Sequence, residues 1–308
     1  MKKLIVTTSP HVCSDLTTKR IMLDVLIALS PAVIASLVLY DLYALLILCV
    51  TVASCVGSEY LFNRIAKQEQ TISDLTAIVT GVLLALSLPA TAKVWHCIVG
   101  GVFAIVIVKC FFGGLGNNFA NPAVTGRIFI MLAFAEIGSA VAPNFAELEG
   151  GATPLVTMQA GGALPEIWEM LLGLRGGAIG EGCAIALILG GVYLVCRRVI
   201  RWEVPVTFIA TVFVLSWILG GDFMLAVYHV LAGGALIGAI FMATDYVTTP
   251  LNPLGKVVFS FGAGLITVLI RFFGSYPEGV SFGILLMNIL SPYIEKWTMK
   301  KPFGGKKV

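Results

Sequence analysis

Runs of about twenty apolar residues recur from Ile21 to Tyr293, separated by short polar turns, and that recurrence leaves few folds open. A helix needs about 20 apolar residues to cross the ~30 Å hydrocarbon layer of a bilayer. Charged residues make up only 12% of the chain and hydrophobic ones 58%, whereas a soluble domain carries about 25% charged residues. The chain therefore reads as an all-α polytopic membrane protein. Ten spans are expected, at 21–40, 42–65, 74–89, 94–112, 126–139, 181–195, 204–219, 223–246, 257–273 and 280–293. No cleavable leader is read at Met1, because the first apolar run begins only at Ile21 and is too long for one.

The basic residues orient these spans. With the N-terminus inside, Lys93, Arg175 and Arg271 fall outside and the rest of the 20 Lys and Arg fall inside. That is the skew of the positive-inside rule, so both termini are expected in the cytoplasm. The same rule assigns the net charge of +3 to orientation, and no nucleic-acid partner is expected. Five regions follow: a cytoplasmic segment 1–20, a five-helix unit 21–139, an extracytoplasmic loop 140–180, a second five-helix unit 181–295 and a basic cytoplasmic tail 296–308.

An internal repeat links the two units. Ser87-Leu88-Pro89 resembles Thr248-Thr249-Pro250, and Phe111-Phe112-Gly113 resembles Phe272-Phe273-Gly274, both at an offset of 161 residues. Five spans is an odd number, so the second unit must be inverted in the membrane. Inverted repeats place ligand sites near the interface of their halves, often at broken helices. The alternative is coincidence, since both patterns are common in membrane chains.

Charges inside spans are costly and are functional suspects. Glu59 and Asp245 are the candidates for an ion path, with Asp24 and Glu136 nearer to expected span ends. The segment Thr244–Pro250 is expected to end a broken helix whose free carbonyls suit a cation. His229 reads as a packed residue rather than a metal ligand. The seven cysteines form no C-x-x-C pair, so no metal or iron–sulfur centre is expected from this chain alone.

The long loop carries Glu147-Leu148-Glu149-Gly150-Gly151-Ala152-Thr153-Pro154. Small residues before Thr153 allow another protein to approach the backbone, and Pro154 favours an extended Thr153 that projects its hydroxyl. A threonine hydroxyl needs activation to act as a nucleophile, and no base is obvious nearby. That suits a modification site served by a separate enzyme. An ordinary turn is the alternative.

This segment resembles the flavinylation site of the RnfD/NqrB family, membrane subunits of ion-pumping redox complexes. In that family FMN is joined through a phosphoester to the Thr of a [ST]-G-A-T-like motif, with an acidic residue six positions earlier. Thr153, Ala152 and Glu147 match, while Gly150 stands where Ser or Thr is usual. The resemblance continues in Leu172–Glu181, in Asn117–Arg127, and in residues 74–89 and 242–256, and the length sits with the RnfD branch. It implies covalent FMN on Thr153 and a membrane component of a complex coupling ferredoxin/NAD+ chemistry to Na+ or H+ movement. The partners it implies are sibling subunits and a flavinyl transferase that uses FAD, acting on the outer face of the inner membrane.

It further implies that Gly173, Gly176, Gly177, Gly180 and Glu181 bring backbone near that flavin, with tight helix packing as the alternative. Trp168, on a short interfacial helix over 165–172, is either a shield for the ring or a plain membrane anchor. Asn117, Asn118, Asn121 and Arg127 are expected at the inner end of the fifth span, either as a site for a second, non-covalent flavin such as riboflavin or as a structural polar network. Thr157 is the rival acceptor. Two other classes stay open on the residues alone: a channel or transporter for a small solute, and a scaffold whose redox groups sit elsewhere.

Overall fold

The computed structural model describes residues 17–89, 91–134, 153–159, 162, 164–274 and 278–299. Glu136, Glu147 and Gly150–Ala152 lie outside the described residues, as do segments 1–16 and 300–308.

The first helix, α1 (Thr18–Ile65), is capped by Thr17, whose hydroxyl accepts from the Arg20 N–H at 3.3 Å. Its 48 residues would run about 72 Å if straight, more than twice the apolar thickness of a bilayer. The helix is instead broken at Asp41, where φ is 53°, a left-handed conformation that an L-residue adopts only at a cost. The break falls between the first two expected spans.

The order then continues through α2 (Thr76–Ser87), α3 (Val94–Val102) with a π-helical extension Phe103–Cys110, and α4 (Pro122–Ala133). Two short helices follow, α5 (Pro154–Gln159) and α6 (Ile167–Leu172). The second half comprises α7 (Ala184–Cys196), α8 (Glu203–Gly220), α9 (Phe223–Leu231), α10 (Ala235–Ile237) with a π-helical turn Gly238–Met242, α11 (Pro253–Phe273) and α12 (Val280–Thr298).

Among the described residues, α1, α8 and α11 are long and apolar enough to cross a membrane, and α9 with α10 and its π turn makes a fourth if counted as one bent span. Several shorter apolar helices accompany them. The chain is thus a multi-pass, all-helical membrane protein.

The expected eighth span, 223–246, is not continuous. It bends by 65° between Leu231 and Ala235. Ala232 is extended, and Gly233 and Gly234 follow with φ of 63° and 67°. Two successive left-handed residues end a right-handed helix, and glycine adopts that conformation without a Cβ penalty. The short α2 also begins after a left-handed residue, Leu75 at φ 62°. The two halves therefore each place a short helix directly after a left-handed residue.

Close backbone approach joins α1 to the second half at Gly190 and to α2 at Gly81. A Cβ at Gly190 on α7 would lie 2.2 Å from the Ala28 carbonyl oxygen of α1, and one at Gly81 on α2 would lie 2.8 Å from the Val52 Cα of α1. Small residues at such crossings are what van der Waals packing between membrane helices requires. One apolar core gathers around α1, α2 and α7, and another around α8, α11 and α12. Gly190→Ala is expected to cost about 1–3 kcal/mol, the usual penalty of overpacking, because the clash is with backbone. Thermal unfolding of the detergent-solubilised protein measures it.

Candidate functional site

Thr153 is half-buried and directly precedes α5. Its carbonyl accepts from the Thr157 N–H at 3.1 Å, and its Oγ accepts a long bond, 3.4 Å, from the Val156 N–H. The Thr157 hydroxyl instead donates to the Pro154 carbonyl at 2.8 Å. The two candidate acceptors thus differ, since one hydroxyl is engaged as a donor in a short local bond. Leu155, only 2% exposed, anchors the segment among Met170, Tyr228 and Ala232. A further tether is the Tyr228 hydroxyl, which donates to the Pro165 carbonyl at 2.6 Å. The residues after Thr153 are therefore seated on the end of α9, beside the break. Trp168 stands on α6, 69% exposed, as an interfacial anchor would.

The glycine-rich stretch after α6 is a packing element in this fold. Gly173 has φ of 93°, and a Cβ there would meet the Gly182 carbonyl at 2.3 Å. At Gly180 a Cβ would lie 2.5 Å from the Leu86 Cβ, and the Ile179 N–H is spent on the Leu88 carbonyl at 2.9 Å. Gly176 is buried, and Gly177 faces the Glu181 carboxylate. The stretch thereby holds Glu181, 4% exposed, in the protein interior.

Around Glu181 the structure assembles a group of charges from distant parts of the chain. Arg127 of α4 lies 3.7 Å from Glu181 and is hydrogen-bonded to Glu278. Arg175 donates to the carbonyls of Leu231 at 2.6 Å and Glu181 at 3.2 Å. Arg271 of α11 donates to the carbonyls of His229, of Ala232 at 2.9 Å and of Gly233 at 3.1 Å. Two guanidiniums thus serve the carbonyls left open where α9 stops, the negative end of its dipole. Burial pulls the Arg175 guanidinium below its ordinary value, and the nearby Glu181 opposes that shift.

Arg127, expected with the asparagines at the inner end of the fifth span, lies instead beside Glu181 in one group with Arg175 and Arg271, which the same reading put outside. Asn117 is exposed. Asn121 caps α4, accepting from Ala123 N–H at 3.0 Å, and its amide donates to the Met242 carbonyl at 3.1 Å. Asn118 and Asn121 line a cavity of about 90 Å³ with Thr76, Lys109, Thr244 and Asp245. Asp245 accepts from the Thr248 hydroxyl at 3.0 Å.

Beside this cavity Glu59 is 2.8 Å from Lys109, which also donates to the Thr76 Oγ at 2.7 Å. The second Glu59 oxygen accepts from Thr71. Asp24 is held apart from both groups by Tyr193 at 3.1 Å and Arg197 at 3.2 Å, and His229 is packed 5.0 Å from the Phe272 ring. Sequence reasoning missed Lys109, Arg175, Arg271 and Glu278 as site residues. The signal was present: Lys109 lies within the expected fourth span, and a cation in a span is as informative as an acid.

Among the described residues, the helices, the bent span in the second half and the buried charges define a polytopic helical membrane protein. The particular family is fixed by comparison. The model of the NQR2, RnfD, RnfE family matches residues 5–304, and the chain belongs to that family. The D subunit of the Na+-translocating ferredoxin:NAD+ oxidoreductase complex from Acetobacterium woodii is 40% identical, with 99% of this chain and 96% of the relative aligned. The D subunit of the proton-translocating ferredoxin:NAD+ oxidoreductase complex from Clostridium ljungdahlii is 37% identical over 98% and 96%. The D subunit of the ion-translocating oxidoreductase complex from Halorhodospira halophila is 36% identical over 96% and 94%.

Proposed function

We propose that this chain is the D-type membrane subunit of an ion-translocating ferredoxin:NAD+ oxidoreductase complex and that it carries covalent FMN on Thr153. The observation that carries the reading is the seating of Thr153. Its oxygen accepts one long bond, and the segment behind it is anchored at Leu155 on the α9 break. A phosphoester at that oxygen removes its proton and keeps its acceptor lone pairs, so the local contacts of Thr153 survive the modification. Thr157 lacks that freedom, because its proton is used by the Pro154 carbonyl. End-to-end similarity to relatives named as the D subunits of such complexes supports the assignment to a complex.

When bound, flavin supplies one- and two-electron transfer. The chain's own residues hold the tether against α9, fix the second half through Arg175 and Arg271, and keep Glu59 and Asp245 beside the cavity. At about 90 Å³ that cavity is far below the roughly 300–1,000 Å³ of small-molecule sites, so we assign it to water or the transported cation, Na+ or H+. A second flavin such as riboflavin at Asn118 and Asn121 would require it to open.

In this reading the ten spans form two inverted five-helix units, both termini are cytoplasmic, and the loop 140–180 faces outward from the inner membrane, where an FAD-using flavinyl transferase reaches it. The starts of α2 and α10, and of α3 and α11, are each 159 residues apart, in line with such a repeat. A solute channel or a redox-free scaffold would share the fold. Denatured protein from a host that makes the transferase is expected to fluoresce under ultraviolet light on a gel. A dark band from that host would support the channel or scaffold instead.

A further inference from the structure

Five charged side chains gather where α9 breaks: Arg127, Arg175, Glu181, Arg271 and Glu278. Their charges also reach one another beyond the direct bonds, since Arg175 and Arg271 both lie in the field of Glu181 and Glu278. Three guanidiniums thus face two carboxylates. Arg127, Arg175, Glu181 and Arg271 are each at most 6% exposed. Charge this deep in a membrane protein is costly and marks function by default. Capping the open carbonyls of α9 explains the positions of Arg175 and Arg271, but apolar packing or water would close a helix end without two buried cations. It leaves unexplained why Arg127 is added from the other half of the molecule.

What lies beside the break gives the group a purpose. A Cβ at Gly233 would lie 2.2 Å from Leu155 Cδ1 and 2.7 Å from Arg271 Nη2. A Cβ at Gly234 would lie 2.8 Å from the Glu181 Oε1 and 3.4 Å from Arg127 Nη1. Leu155, in the segment that follows Thr153, therefore lies beside the Arg271 guanidinium at Gly233. Leu155 is two residues from Thr153, a chain reach of about 7 Å. The attachment atom at Thr153 is thereby held on the same side of the α9 break as the cluster's Arg271.

We propose that this buried, net-positive cluster is the counter-charge of the redox group on Thr153 and sets its reduction potential. The inference rests on the assignment of flavin to Thr153 and deepens it. Each electron accepted from a reduced one-electron carrier of a neighbouring protein in the complex adds one negative charge at the tethered ring, and that carrier is oxidised by the same electron. No bond to the cluster forms or breaks. The arginines hold the electron by their field, through a site where Coulomb interactions are less screened than in water. The charge of the phosphoester is constant, so differences between variants report the cluster alone.

The test is a spectroelectrochemical titration of the flavin in the detergent-solubilised complex from the native host, with wild type, Arg175→Gln, Arg175→Lys and Glu278→Gln compared. Arg175→Gln removes a positive charge and is expected to weaken the hold on the electron roughly tenfold, which is ~59 mV for one electron. Glu278→Gln removes a negative charge, keeps an oxygen for Arg127, and is expected to shift the potential upward by a similar amount. Arg175→Lys keeps the charge and is expected to stay within about threefold of wild type.

Opposite signs for the two charge-removing variants are what a merely structural role would not produce. Shifts of the same sign, or none beyond threefold, overturn the inference while leaving the flavin on Thr153. Wild-type protein with no flavin at Thr153 overturns the assignment itself, and the inference with it. Where Arg175→Gln fails to assemble, Glu278→Gln alone decides: its side chain is 20% exposed, and an unchanged or lowered potential refutes the proposal.

Discussion

Thr153→Ala is expected to abolish the ultraviolet-fluorescent band of the denatured protein and ferredoxin-linked NAD+ reduction in membranes, while the complex still assembles. The expectation follows from the local structure. Leu155, not Thr153, provides the buried anchor of the segment, and the hydrogen bond that the Thr153 hydroxyl accepts is long. Losing that hydroxyl costs the fold about 1 kcal/mol or less, so the proposed attachment is removed with little change to the fold. Thr153→Ser keeps a hydroxyl in the same place and is expected to retain at least part of the band. Gel fluorescence and native electrophoresis of the same membranes separate loss of flavin from loss of assembly.

Lys109→Met is expected to be strongly destabilising. Lys109 and Glu59 are 5% and 1% exposed and 2.8 Å apart, and the same ammonium bonds Thr76 at the start of α2. Removing one partner strands the other charge in the interior, which typically costs about 3–5 kcal/mol. The double change Glu59→Gln with Lys109→Met removes the stranded charge and is expected to recover most of that loss. Unfolding midpoints in detergent for the two singles and the double measure the coupling. A double variant no better than Lys109→Met would show that the pair is not what holds α2 in place.

Much of the fold was legible because hydrophobic length is a local property. The runs flanking Asp41, the long α8 and α11, and the short α2 all follow from counting apolar residues against bilayer thickness. The break after α9 was not read, although Gly233-Gly234 carries it, because residues 223–246 are apolar almost throughout and read as one span. Composition says how far a segment can reach and not where its backbone turns.

The clustering of Arg127 with Glu181 and Glu278 was beyond the sequence. The three come from α4, from the segment before α7 and from the residue pair before α12, and no periodicity within one helix reports distances between three. The two ends of the Asn117–Arg127 stretch were expected to act together, but about one turn and a half of α4 sends the asparagines to the cavity beside Asp245 and Arg127 to the α9 break. Thr153 was visible as a motif. Its contact with α9 through Leu155 and Gly233 was not, because that contact joins residues far apart in the chain.

The most direct measurement is mass spectrometry of the peptide containing residue 153, from protein purified out of its native membrane. The account predicts a Thr153 peptide heavier by one FMN joined with loss of water, and an unmodified Thr157. A bare Thr153 in material from a host with an active flavinyl transferase would contradict it.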